Sequence, residues 1–317
     1  MNLKILFHDN CFDGAASAAI FSRFYRDQID PSAEVRVQGV QHRPGDAFGP
    51  DAFDGDVNAC VDFRYSRSPR LGWWFDHHVS GFPTPEDRAH FLADGGGRKF
   101  YDPAARSCTK FAAGVLEQKF GWDATPWREL VEWADIIDGA QFADAATAVA
   151  LEHPALQLMT WIENNKDFAL TRRFIDDLER RTLAELAVED YVQRSLVPLL
   201  EAHRKNVETI RARATQTEGV VYFDLVDTGI DAHNKFIAYM LFPDCRYVVG
   251  VTRTAARMKI SVGSNPWPRT PRMHDIARIC ERYGGGGHQV VGAISLGAGE
   301  VERARKIASE IRAELGG

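Results

Sequence analysis

The sequence predicts an α/β protein of two domains: an N-terminal, mostly parallel sheet with helices on both faces, a helical connector, and a smaller C-terminal α/β domain. Three observations carry that prediction. Short apolar runs alternate with helical periodicity in the first part of the chain, the pattern of a parallel sheet covered on both sides. Residues 167–213 then read as helix almost throughout, with many Glu/Arg pairs at i,i+3 and i,i+4. After Thr217-Glu218-Gly219 the short apolar runs return. A length of 317 residues suits two domains rather than one, with expected boundaries of 1–190, a linker over 191–217, and 218–317.

In chain order, Leu3–Phe7 reads as a buried strand and Gly14–Tyr25 as a helix, with Ala15, Ala18, Phe21 and Tyr25 at helical spacing. Val35–Val40, Val57–Val61 and Leu71–Phe75 are the next strands. Ser107–Phe120 and Trp127–Ile137 carry a helical period. In the last third, Val220–Leu225, Tyr247–Thr252 and Met258–Val262 read as strands, and His274–Tyr283 as a helix ending in a glycine run. Trp73-Trp74 read as buried strand residues, whereas Trp267, between two prolines, is a candidate for base stacking.

The chemistry-bearing residues obey a positional rule. His8 follows the first strand, Asp62 follows Val57–Val61, and Asp76-His77-His78 follow Gly72–Phe75. Ligands of an open parallel sheet bind beyond the carboxyl ends of its strands, so three strands deliver Asp and His into one crevice. Asp13, in the loop opening the first helix, and Asp138, at the end of Trp127–Ile137, can join them. Carboxylates and imidazoles without thiolate suit Mn²⁺ or a similar hard ion. Crowded carboxylates repel unless cations neutralise them, which favours two ions over none. Alone, His8 or Asp62 is a turn or cap residue; the conjunction at three strand ends argues for a site.

The chain resembles the DHH phosphoesterase superfamily, named for the triplet that stands here as Asp76-His77-His78. His8-Asp9-Asn10-Cys11-Phe12-Asp13-Gly14 resembles its first motif and Val61-Asp62 its second. Asp102-Pro103 with Ser107–Leu116 resembles the helix after the triplet, and Asp138-Gly139-Ala140-Gln141-Phe142 the fourth motif. Gly284-Gly285-Gly286-Gly287-His288, with Lys259–Val262 and Gly292-Ala293, resembles the family's C-terminal substrate domain. The resemblance implies His8 and Asp13 as metal ligands, Asp62 as a bridge, and His77 and Asp138 at a second metal. It implies that His78 faces the scissile phosphate, that Asp76 orients the imidazoles, and that Gly285, Gly286, Gly287 and His288 bind substrate. Two departures stand out. The first motif has Cys11 where the family carries an aspartate, which leaves Asp9 as a substitute or one metal weakly held. The substrate-domain strand lacks the family's arginine; Arg253, Arg257 or Arg269 could replace it, and Ser264 is a further substrate-binding candidate.

The expected function is a metal-dependent phosphoesterase with a dinuclear Mn²⁺-type site, in which Mg²⁺ or Co²⁺ could substitute. Its expected substrate is a short oligoribonucleotide, a dinucleotide or a nucleotide phosphate. Alternatives are an exopolyphosphatase-like phosphoanhydride hydrolase and a nucleotide-binding sensor without turnover, kept open by Cys11. A formal charge of −6 argues against a protein that coats long nucleic acid. The hydrophobic share of 45% and charged share of 26% are those of a soluble globular protein. With no apolar run long enough for a membrane span and no basic-apolar leader, the expected setting is cytoplasmic, with a homodimer compatible. Five scattered cysteines, without a CxxC pair, suggest neither a zinc knuckle nor a disulfide framework.

Overall fold

The run Asn2-Leu3-Lys4-Ile5-Leu6-Phe7-His8 forms strand β1 (Asn2–His8), buried at five consecutive positions. Such a strand needs cover on both faces. The computed structural model, which describes residues 1–41, 45, 47–267 and 271–317, shows the elements that supply it. Helix α1 (Phe12–Gln28) follows, then β2 (Glu34–Val40), β3 (Val57–Val61), β4 (Trp73–Asp76), α2 (Pro85–Leu92), β5 (Lys99–Tyr101), α3 (Cys108–Phe120) and α4 (Arg128–Asp138). The five strands are parallel in the order β2-β1-β3-β4-β5. The tryptophan pair splits across the sheet, as alternation requires. Trp73 packs on Phe21 and Phe24 of α1, and Trp74 on Tyr65 and Phe82. Both indoles are core, as the sequence reading expects.

Register matters most for the site. Phe7 pairs with Val61, and Val61 with Phe75. The next residues along these strands, His8, Asp62 and Asp76, therefore emerge in one row at the carboxyl edge. Strand β5 is not expected from the sequence, because three residues are too few to show an alternating pattern.

The stretch 167–213 is three helices rather than one. After α5 (Ala145–Ala150) and α6 (Pro154–Asn164) come α7 (Phe168–Leu178), α8 (Leu183–Ala187) and α9 (Asp190–Arg213). Thr182 and Glu185 form a capping box that restarts the chain at α8. The remaining elements are β6 (Thr215–Thr217), β7 (Val220–Asp224), α10 (Ile237–Leu241), β8 (Tyr247–Arg253), β9 (Arg257–Ser264), α11 (Ile276–Glu281), β10 (Gly286–His288), β11 (Val291–Gly297) and α12 (Val301–Gly316). Their six strands run in the order β10-β11-β9-β8-β7-β6, antiparallel except for the β7–β8 pair. Val249, Val251, Ile260 and Val262 form a core with Ile307 and Ile311 of α12.

The chain divides into two compact units, Met1–Phe142 with Glu152–Val197, and Ala143–Leu151 with Pro198–Gly317. Helix α5 thus belongs with the second unit, where Asn234 donates to the Ala148 carbonyl at 2.9 Å and α5 packs on α10. The second division falls inside α9 at Pro198, which has no N–H for the helical ladder. Among the described residues no helix is long and apolar enough to cross a membrane.

Candidate metal centre

Helix α1 opens immediately beyond β1, and Gly14 lets it do so. A Cβ at Gly14 would lie 2.2 Å from the His8 carbonyl oxygen, so only glycine permits this approach. The turn places Asp13 in the first helical turn, almost fully buried. Its carboxylate accepts the Cys108 N–H at 2.6 Å and the Thr109 N–H at 3.0 Å. Asp13 therefore caps the positive end of α3, while its Oδ2 lies 3.8 Å from His77 Nε2.

Asp62 follows β3 with φ 54°, a left-handed conformation that costs a non-glycine residue about 1 kcal/mol or more. It is 1% exposed, yet both carboxylate oxygens lack a hydrogen-bond partner among the described residues. Oδ2 lies 3.5 Å from His8 Nδ1, and Oδ1 lies 3.4 Å from His77 Nε2. Orphaned buried carboxylate oxygens are costly. Two oxygens facing two separate imidazoles suit a carboxylate that bridges two cations.

The DHH triplet has three different environments. Asp76 is fully buried, and its Oδ1 accepts the N–H groups of His77 and His78 and the His78 Nδ1–H at 2.7 Å. His77 Nδ1 lies 3.1 Å from the Ala105 carbonyl, which can only accept, so Nδ1 carries the proton. His77 Nε2 then faces the acids: Asp62 and Asp138 at 3.4 Å each, and Asp13 at 3.8 Å. His78 is half-buried, its Nδ1 fixed by Asp76 and 3.8 Å from Asp62.

Without a cation the cluster balances itself with protons. Burial works against an imidazolium at His77, but Asp62 and Asp13 overrule it and raise its pKa to about 10. Burial would raise Asp62, yet His77 and His8 hold it down at about 2. Burial and the neighbouring Asp62 push Asp13 well above the carboxylate range and raise Asp138. A divalent cation supplies the same positive charge while releasing those protons, so the residues fit a metal.

The ligand atoms fall into overlapping groups: His8, Cys11 and Asp62; Asp62, His77 and His78; and Asp13, His77 and Asp138. Six of the expected residues thus meet: His8, Asp13, Asp62, His77, His78 and Asp138. The grouping differs from the expected one, because Asp13 stands with His77 and Asp138, and Cys11 stands with His8. Asp9 is outside the cluster. Its Oδ1 accepts the Asn10 N–H, and its side chain lies over Gly39 of β2. Sequence reasoning misses that the Cys11 sulfur stands beside His8 and Asp62, because beside the family motif it reads only as a lost aspartate.

In the second unit, Gly284 takes a left-handed φ of 78° just after α11, which is a helix-ending role. Gly287 must be glycine, since a Cβ would lie 2.2 Å from the Val291 carbonyl oxygen. Gly285 is similarly pressed against Ala293, while Gly286 faces open space and His288 is exposed on the edge strand β10. Ser264 lies at this end of the sheet, but its hydroxyl donates to the Val290 carbonyl. Arg253 pairs with Met258 and so lies at the opposite end of the strands from His288. Arg257 lies at that far end too, and Arg269 lies outside the described residues. Trp267 contacts the rings of Phe236 and Tyr239, which is packing.

The chain is similar in structure to the pGpG-specific phosphodiesterase PggH from Vibrio cholerae, at 20% identity and TM-score 0.68, over 99% of each chain. That likeness shows a shared fold over the whole chain. RecJ from Thermus thermophilus, in complex with Mn²⁺, is a more distant likeness, at 13% identity and TM-score 0.53. It spans 99% of this chain and 52% of the RecJ chain. No protein-family model and no curated protein matches the sequence.

Proposed function

We propose that this protein is a metal-dependent phosphoesterase of the DHH superfamily acting on a short nucleotide ester, with a linear dinucleotide as the favoured substrate. The observation that carries the reading is Asp62, whose two buried oxygens accept no hydrogen bond among the described residues and face imidazoles on either side. Divalent cations held by His8, Asp13, Asp62, His77 and Asp138, with Mn²⁺ the first candidate, would supply Lewis-acid charge stabilisation and acidify water. The protein's own groups do the rest. Ala105 orients His77, and Asp76 fixes the His78 tautomer so that Nε2 is the ring nitrogen available to the phosphate. His78 would there donate a hydrogen bond or move a proton.

Substrate size follows from charge. A net charge of −6 gives no track for a long polyanion. The resemblance to a pGpG-specific enzyme supports a dinucleotide over polyphosphate. In the second unit, we propose the open Gly286 backbone and exposed His288 as a contact for an anionic group. The test is incubation of the metal-loaded chain with linear and cyclic dinucleotides, tri- to pentaribonucleotides, adenosine bisphosphate and polyphosphate. Hydrolysis of the linear dinucleotide to mononucleotides fastest of all is expected. Binding without turnover of any member would mean a sensor.

A further inference from the structure

We propose that the Cys11 thiolate is itself a metal ligand, completing with His8 and Asp62 one half of the centre and biasing that half toward a softer cation than Mn²⁺. The inference rests on the phosphoesterase reading above and deepens it.

The sulfur of Cys11, a ring nitrogen of His8 and a carboxylate oxygen of Asp62 all lie within 4.8 Å of one another. Asp62 gives the independent sign that something is to be held there. It is 1% exposed, and neither oxygen accepts a hydrogen bond among the described residues, so the thiol does not serve it as a donor. Its Oδ2 is the oxygen on the His8 side, at 3.5 Å. Asp9, the other residue able to replace the absent aspartate, is committed to Asn10 and Gly39. Cys11 also occupies the N-cap of the 17-residue helix α1, and its sulfur makes no capping hydrogen bond there.

The consequence is chemical asymmetry. Thiolate ligands prefer Fe²⁺, Co²⁺ or Zn²⁺ over Mn²⁺ and Mg²⁺, whereas carboxylates suit the harder ions. The Asp13, His77 and Asp138 half has no sulfur and keeps the harder preference. The two halves would then fill with different ions at limiting metal.

The experiment uses the full chain stripped of metal, as wild type, Cys11→Ser and Cys11→Asp, with folding checked by circular dichroism. Co²⁺ alone is titrated in while absorption and bound metal are measured. The expected result is a near-ultraviolet sulfur-to-cobalt charge-transfer band in the wild type, saturating with one ion and absent from both variants. Cys11→Asp should also shift the Co²⁺/Mn²⁺ affinity ratio toward Mn²⁺ by roughly tenfold or more. Cobalt bound by the wild type without that band would overturn the thiolate ligand and leave the metal centre standing. No cobalt uptake at all would overturn both.

Discussion

Asp13 and Asp62 are both buried acids, but they are built into the protein differently. Asp13 accepts two amides from the start of α3, whereas Asp62 accepts none among the described residues. Asp13→Ala should therefore lower stability by about 1–2 kcal/mol, as loss of a helix cap does, besides weakening metal binding. Asp62→Asn keeps the shape and tolerates the left-handed backbone. It should lower turnover on the order of a thousandfold and, in the metal-free protein, cost the charge pair that keeps His77 protonated while leaving the cap of α3 intact. Denaturation curves beside kinetics separate the two cases. Asp76→Asn should reduce kcat about a hundredfold or more while metal stays bound, because the His78 tautomer is no longer fixed. Loss of metal together with activity would contradict that positioning role. His233 gives a pH dependence away from the centre. Its buried Nδ1 has no partner among the described residues, and burial, with Lys259 nearby, lowers its pKa to about 4. The unfolded chain takes up that proton near pH 6.5 and the folded chain refuses it, so stability is full above about 6.5 and falls as pH drops toward 4. The loss reaches about 2–3 kcal/mol and should be absent in His233→Gln, as urea midpoints across that range will show.

At the scale of elements, the centre depends on how tightly α1 follows β1. Gly14→Ala would force a Cβ against the His8 carbonyl. The expected cost is about 1–3 kcal/mol of overpacking, with weaker metal binding because His8 moves; unchanged metal affinity would show that the close approach is dispensable. Much of this architecture was legible. The strand ends carrying His8, Asp62 and Asp76 were readable because each follows an apolar run, and parallel topology sends such ends to one side. The register that brings Phe7, Val61 and Phe75 level was not readable, since it is set by pairing between distant segments. The position of Cys11 was visible, but its neighbour His8 depends on the turn that Gly14 permits. Arg253 stood as one replacement for the missing arginine, and only strand pairing reveals that it sits at the other end of the sheet from His288.

On the scale of the whole molecule, two units with separate sheets share one chain, and α5 belongs to the second although it interrupts the first in sequence. Six residues covering a turn and a half carry too little pattern to reveal such an exchange. The fold likeness to PggH spans both units, while the metal cluster lies wholly within the first. The central claim, an Asp62-centred pair of cations that hydrolyses a short nucleotide ester, is tested most directly by metal analysis coupled to hydrolysis of pGpG. Wild type and Asp62→Asn would be loaded with Mn²⁺ or Co²⁺, desalted, and assayed for bound ions and product. The expected wild-type result is two ions bound per chain and rapid cleavage to mononucleotides, with the ions depleted and cleavage lost in Asp62→Asn. Equal metal content and equal turnover in the two proteins would contradict it.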